Sequence, residues 1–127
     1  MIHAAERALT VQVSAGRGEA RMAILRRAVV ATCSKAQLPV DRIDDAVLIL
    51  ETLLADRYVA RADEVHLVLT ANPGSVSLMI GPLADREAQR LLEQADLPLV
   101  GSIIKRLSTT ATTVDEGSHL LIFVDAR

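Results

Sequence analysis

The sequence predicts an α+β two-layer sandwich, with helices on one face of a mixed, largely antiparallel sheet and the order β-α-α-β-β-α-α-β-β. Three observations carry this. Two segments of helical period follow one another directly after an opening strand pattern. Asn72-Pro73-Gly74-Ser75 separates two short apolar runs, which is a hairpin signal. The chain then closes on a second pair of short apolar runs around Asp115-Glu116-Gly117-Ser118. A doubly wound parallel sheet requires regular alternation of strand and helix, and that alternation is missing. The 127 residues read as one domain, 1–127, long enough to bury about two-thirds of the unfolded surface without staples.

Each element has its own signature. From Ala8 to Val13, Leu9, Val11 and Val13 alternate with Thr10 and Gln12, the period of a strand. Ser14 to Gly18 holds two glycines and reads as a turn. From Glu19 to about Ala36, Met22, Leu25, Val29, Cys33 and Ala36 recur at helical spacing. Pro39 interrupts that helix, and Asp41 opens a second one with the acidic first turn that the helix dipole favours.

On this second helix Ile43, Val47, Leu50 and Leu54 share one face, while Leu48, Ile49 and Leu53 lie elsewhere around it. A helix apolar on several sides is sandwiched or covered by a partner. Val65 to Thr70 and Val76 to Ile80 form the central hairpin, and Gly81-Pro82 ends it. Asp85 to Ala95 reads as a helix with an acidic start, and Pro98 suits the first turn of another from Leu99 to Leu107. Thr109 to Val114 and Leu120 to Val124 make the last hairpin.

Composition narrows the function. Half the residues are hydrophobic but only Tyr58 and Phe123 are aromatic, so Leu, Val, Ile and Ala build the core. A net charge of −2 with so few stacking rings gives no reason to expect direct nucleic-acid binding. Cys33 has no intrachain partner and sits on an apolar helical stripe, where a buried, inert thiol is expected. No apolar run is long enough to span a bilayer and no signal-peptide core opens the chain, so a cytoplasmic protein without membrane contact is expected. His3, His66 and His119 are too scattered to propose a metal site. The serines lack a nucleophile elbow and no phosphate-binding Gly-Lys-Ser/Thr loop is present.

Glu51 is followed four residues later by Ala55 (ETLLA), and LPLVGSIIKRLSTTATTVDEGSHLLIFV runs from Leu97 to Val124. With the element order, this layout resembles the anti-sigma-factor serine kinases of the histidine-kinase-like ATPase superfamily, the Bergerat fold, from roughly Leu9 to Val124. The resemblance implies four nucleotide-binding elements. The first is a helical Glu-x-x-x-Asn box, in which Glu serves the attacking group and the Asn oxygen holds Mg2+. Glu51 stands at the catalytic position as a vestige, and Ala55 replaces the Asn with a methyl that cannot ligate a hard cation. Asp56 is turned about 100° away and is no substitute.

The second is an Asp-x-Gly motif that reads adenine. Gly81-Pro82-Leu83 stands where the acid belongs, and Asp85 lies three residues beyond Pro82, where a helix cap or first-turn acid is the simpler reading. The third is a glycine-rich phosphate loop, reduced to Gly101 behind Pro98 and Val100. The fourth is a Gly-Thr pair, replaced by Gly117-Ser118-His119. Ala55, Asp85, Gly101 and Ser118 are therefore degenerate nucleotide positions.

The expectation is a pseudo-ATPase acting as a regulatory protein-binding module. The resemblance implies a sigma factor or an anti-anti-sigma-like protein as partner, in bacterial partner switching, and the degenerate positions lead to the expectation of no cofactor and no metal. ATP and Mg2+ enter only in the alternative, an active serine kinase with a rebuilt site. A structural homodimer or subunit is the second alternative. Arg26 and Arg27, with Arg21 and Lys35, are read as a charged face of the first helix, and Arg26 and Arg27 as partner contacts beside the apolar breadth of the second helix. Leu54, Ala55, Leu83 and Val100 are expected to converge on a narrowed, apolar remnant of the nucleotide pocket.

Overall fold

Alternating apolar side chains assemble the sheet, and helical stripes cover it. The computed structural model describes residues 8–84, 86–93 and 98–126. In chain order these form β1 (Leu9–Gly16), α1 (Ala20–Lys35), α2 (Val40–Ala55), α3 (Arg57–Arg61), β2 (Glu64–Asn72), β3 (Ser75–Ile80), α4 (Glu87–Leu92), α5 (Pro98–Leu107), β4 (Thr110–Val114) and β5 (His119–Asp125). The architecture is the expected α+β sandwich with one addition, the short helix α3. The strands lie in the order β1-β2-β3-β5-β4. Every neighbouring pair is antiparallel, so the expected mixed sheet is wholly antiparallel among the described strands. The reason is that β5 turns back between β3 and β4 and separates the two strands that run the same way.

Registers place the inward side chains in rows across the sheet. Val13, Leu67, Ile80, Leu120 and Thr113 form one row, and Val11, Leu69, Leu78, Ile122 and Ala111 the next. The central members of both rows are buried beneath the helices. Burying one such Leu or Ile contributes about 1.5–3 kcal/mol, so these rows are the main apolar contribution to the fold. On the opposite face, Val68, Met79 and Leu121 stay half-buried among hydroxyl and polar neighbours. Asn72 pairs with Ser75, which leaves Pro73-Gly74 as a two-residue turn. Gly74 sits there at φ 78°, a value glycine adopts without steric cost.

The helices mostly follow their apolar stripes. α1 buries Leu25, Val29 and Cys33. Cys33 is buried as expected, and burial pushes its thiol up to about 11. On α2 the core stripe differs from the expected one. Ile49 and Leu53 are fully buried with Ala46 and Leu50, whereas Ile43 and Val47 are only half-buried. The cause is packing on several sides: α2 contacts α1, α5 and β5, so a wide arc of its surface is enclosed. Of the three residues expected beyond the stripe, only Leu48 is exposed, at 42%.

Two polar devices fix the helix ends. α1 stops in a Schellman motif, with Leu38 N–H donating to Cys33 O (3.1 Å) and Gln37 N–H to Ser34 O (3.0 Å). Gln37 takes the left-handed position, φ 61°, usually held by glycine. The half-buried Arg42 of α2 donates to the carbonyls of Leu107 (3.0 Å) and Asp125 (2.8 Å), joining α2 to the ends of α5 and β5. No helix among the described residues is long and apolar enough to cross a membrane.

The strained Gln37 gives a direct test. Gln37→Gly removes left-handed strain of roughly 1–2 kcal/mol and returns part of it as unfolded-state entropy, for a net stabilisation of about 0.5–1 kcal/mol. Urea denaturation should show a raised midpoint with an unchanged slope. A lowered midpoint would contradict the geometry of this cap.

Candidate functional site

Asp56 decides what surrounds the end of α2. The chain leaves the helix there, at ψ 137°, and the Asp56 carboxylate caps α3 by accepting from Tyr58 N–H (3.0 Å) and Val59 N–H (3.3 Å). Arg90 of α4 donates to both carboxylate oxygens, at 2.8 and 2.9 Å. Arg90 also bonds Glu87 through Nε at 3.0 Å and stacks its guanidinium 4.9 Å from the Tyr58 ring centroid. The Asp56 side chain is 3% exposed, and three donors satisfy it: Tyr58 N–H, Val59 N–H and Arg90 Nη2. The Glu87 hydrogen bond chiefly raises the Arg90 pKa; burial opposes this and Asp56 adds to it.

α3 then stands between two hollows. One, of about 190 Å³, is lined by Tyr58, Val59, Val65, Ile80, Pro82 and Leu83, with His66, Glu64 and Glu87 among its polar lining. The other, of about 210 Å³, is lined by Arg17, Gly18, Glu19, Arg21, Met22, Leu54 and Ala60. Both are smaller than the roughly 300 Å³ at which pockets for nucleotide-sized ligands begin. The described members of the expected convergence do not line one hollow. Leu83 and Leu54 border different hollows, and neither Glu51 nor Ala55 borders either one. The physical reason is α3, whose Val59 faces the first hollow and Ala60 the second. The Val100 side chain lies outside the described residues.

The remaining sequence-derived positions are scattered as well. Glu51 is half-exposed on α2 and pairs with Arg26 of α1, Nη2 to Oε2 at 2.7 Å. Ala55 is the exposed last residue of α2. Asp85 lies outside the described residues. Gly101 falls inside α5. The Ser118 hydroxyl donates to Asp115 O at 2.9 Å and lies 2.7 Å from His119 Nδ1, so it serves its own turn. Arg27 is exposed on the outer side of α1.

Gly81, which opens the Gly81-Pro82-Leu83 stretch, is held by shape. A Cβ there would fall 2.5 Å from the His119 ring and 2.8 Å from Ser118 O. Ser14 Oγ and His66 Nδ1 lie 2.5 Å apart on the open sheet face, and Glu64 lies 3.2 Å from His66 Nε2. His66 and Glu64 are about half exposed, so water screens that cluster. Sequence reasoning missed this group because strand register, not chain spacing, brings Ser14 opposite His66. No group of three or more metal-ligating side chains is positioned for an ion among the described residues.

What remains chemically distinctive is a ridge on α1 and α2. The Arg26–Glu51 pair lies across these two helices. One turn along α1 is Val30, 37% exposed, and one turn back along α2 is Leu48. Because the helices run antiparallel, both apolar side chains lie on the same side of the ion pair. The chain matches no model of a known protein family and no curated protein sequence.

The buried Asp56 yields a prediction. Arg90→Ala leaves that carboxylate in low dielectric without its cation and should destabilise the fold by about 3 kcal/mol. Arg90→Lys should recover only part, since an ammonium cannot reproduce the guanidinium fork. Chemical denaturation of the two variants checks this; a loss for Arg90→Ala below about 1 kcal/mol, typical of an exposed pair, would contradict it.

Proposed function

We propose that this chain is a regulatory protein-binding module of the anti-sigma type, with a degenerate ATP site, acting in bacterial partner-switching control of transcription. Its partner in this reading is a sigma factor or an anti-anti-sigma-like protein. The observation that carries the reading is the α1–α2 ridge, where Arg26, Arg27 and Glu51 lie beside the exposed Val30 and Leu48. Apolar contact there supplies affinity, and the charges set orientation and association rate. A fold can keep a docking surface after losing a catalytic site, because the two are physically separable.

The degenerate site supports the same reading. Glu51 is engaged by Arg26 rather than aimed into a hollow. Ala55 offers no oxygen to Mg2+. The Ser118 hydroxyl is used within its own turn. No cofactor is therefore part of the proposal. The ATP-dependent serine kinase of the same fold is the reading that nucleotide binding would establish in its place.

Isothermal titration should show no Mg·ATP binding at micromolar nucleotide and no serine kinase activity. Ala55→Asn alone should not restore binding, because the acid at the Gly81-Pro82 position and the phosphate-loop glycines stay missing. Tight, Mg2+-dependent binding would replace the proposal with the kinase reading.

Capture from native extract, with the bound protein identified by mass spectrometry, should yield a sigma factor or an anti-anti-sigma-like protein. Arg26→Glu with Arg27→Glu should weaken that capture at least about tenfold, since it reverses the charge of the ridge. The thermal midpoint should move little, because an exposed ion pair contributes only about 0–1 kcal/mol. Undiminished capture would rule out the ridge.

A further inference from the structure

We infer that the hollow of about 190 Å³ beside α3 binds a small organic ammonium, an apolar ring with a short arm that carries one cationic nitrogen. The inference goes beyond the docking proposal and rests on no part of it, because none of Arg26, Arg27, Glu51, Val30 and Leu48 lines this hollow.

Size limits the ligand. A dry apolar cavity of about 150 Å³ accepts one benzene. Filled at the packing density of protein interiors, roughly 0.74, the hollow beside α3 suits about 140 Å³ of ligand, or about nine non-hydrogen atoms. That is one ring with a short arm. Much of the wall is apolar: Val59, Val65 and Ile80 are buried there, and the more exposed Tyr58, Pro82 and Leu83 complete it. Such a wall supplies contact area, and a few polar groups set the orientation and the choice of ligand.

Charge decides the arm. Glu87 lines the hollow and is only 7% exposed. Both of its bonds from Arg90, through Nε and Nη2, go to Oε2. Oε1 has no hydrogen-bond donor among the described residues. A buried carboxylate oxygen without a donor is costly in a native fold and calls for a partner. The same guanidinium also serves the buried Asp56, so two buried carboxylates share one cation. Backbone amides of α3 offset part of the Asp56 charge. Glu64 adds a third carboxylate to the lining, 3.2 Å from His66 Nε2. No Lys or Arg lines the hollow among the described residues, and the neighbouring Arg57, Arg61 and Arg86 are exposed outside it.

An ammonium answers both needs at once. It gives Glu87 Oε1 a charge-assisted hydrogen bond and brings the positive charge that the buried carboxylates lack. A neutral hydroxyl supplies only the hydrogen bond. A carboxylate or phosphate arm meets like charge at Glu64 and Glu87 and finds no cation on the lining.

The test uses the full chain at neutral pH, with amide chemical shifts followed during titration. Three probes of one shape are compared: phenethylamine as the ammonium, phenethyl alcohol as its neutral counterpart and phenylacetate as the anion. Phenethylamine should saturate with a Kd of about 1 mM or below, as suits a ligand of this size. Its shifts should centre on the residues that line the hollow. Phenethyl alcohol should bind at least about tenfold more weakly, and phenylacetate should not bind. Glu87→Gln keeps the shape and removes the charge, so it should weaken the amine at least about tenfold and leave the alcohol within about twofold. No saturation by the amine at about 10 mM would overturn the inference. So would an alcohol or a phenylacetate that binds as tightly, or shifts centred elsewhere. These comparisons on the wild-type chain decide the matter even where Glu87→Gln fails to fold. The Arg26 and Arg27 reversal leaves the hollow untouched, so the ridge and the ammonium site succeed or fail separately.

Discussion

The structure around the end of α2 depends on one carboxylate. Asp56 is buried, and burying an unpaired carboxylate would cost several kcal/mol. It is tolerated because two backbone amides and the Arg90 guanidinium face it. Those same contacts create α3, a five-residue helix too short to be stable alone. The other end of α3 is held by Arg21, which is 7% exposed and donates to the carbonyls of Val59 (3.3 Å) and Ala62 (2.6 Å). An anion at the N-terminus and a cation at the C-terminus match the helix dipole at both ends. α1, through Arg21, and α4, through Arg90, are thus tied to one another across α3.

This clamp also shapes the site. α3 borders both hollows, the first through Val59 and the second through Ala60, and neither Glu51 nor Ala55 lines either one. Glu51 is left on the outer surface, where Arg26 takes it up. Ala55 offers no oxygen to a hard cation, and α3 begins just beyond it, so one constraint on that place is chemical and the other steric.

Much of the fold was legible in the sequence because period and turn chemistry agree there. Leu9 to Val13 alternates, Asn72 to Ser75 can only turn, and Asp115 to Ser118 closes the last hairpin. α3 was illegible because its evidence is a capping bond to Asp56, which in the sequence is merely the residue after Ala55. The stripe on α2 was misjudged because a helix packed on several sides has no single apolar face, and Ile49 and Leu53 prove as buried as Leu50. The stop of α1 carries no glycine, since Gln37 takes the left-handed position itself. For the site, Glu51 and Arg26 were each visible as surface charges. Their pairing was not, since 25 positions separate them and only the antiparallel α1–α2 hairpin brings them together.

α1 is therefore a divided helix. Its inner stripe of Leu25, Val29 and Cys33 belongs to the core. The flank toward α2 carries Arg26 and Val30, a mixture of charge and exposed aliphatic surface. The flank toward β1 carries Ile24, Ala28 and Ala31 and ends at the exposed Lys35. About 160° of helical rotation separates Arg26 from Ile24. The proposed docking on the ridge therefore leaves the β1-side flank of α1 uncovered.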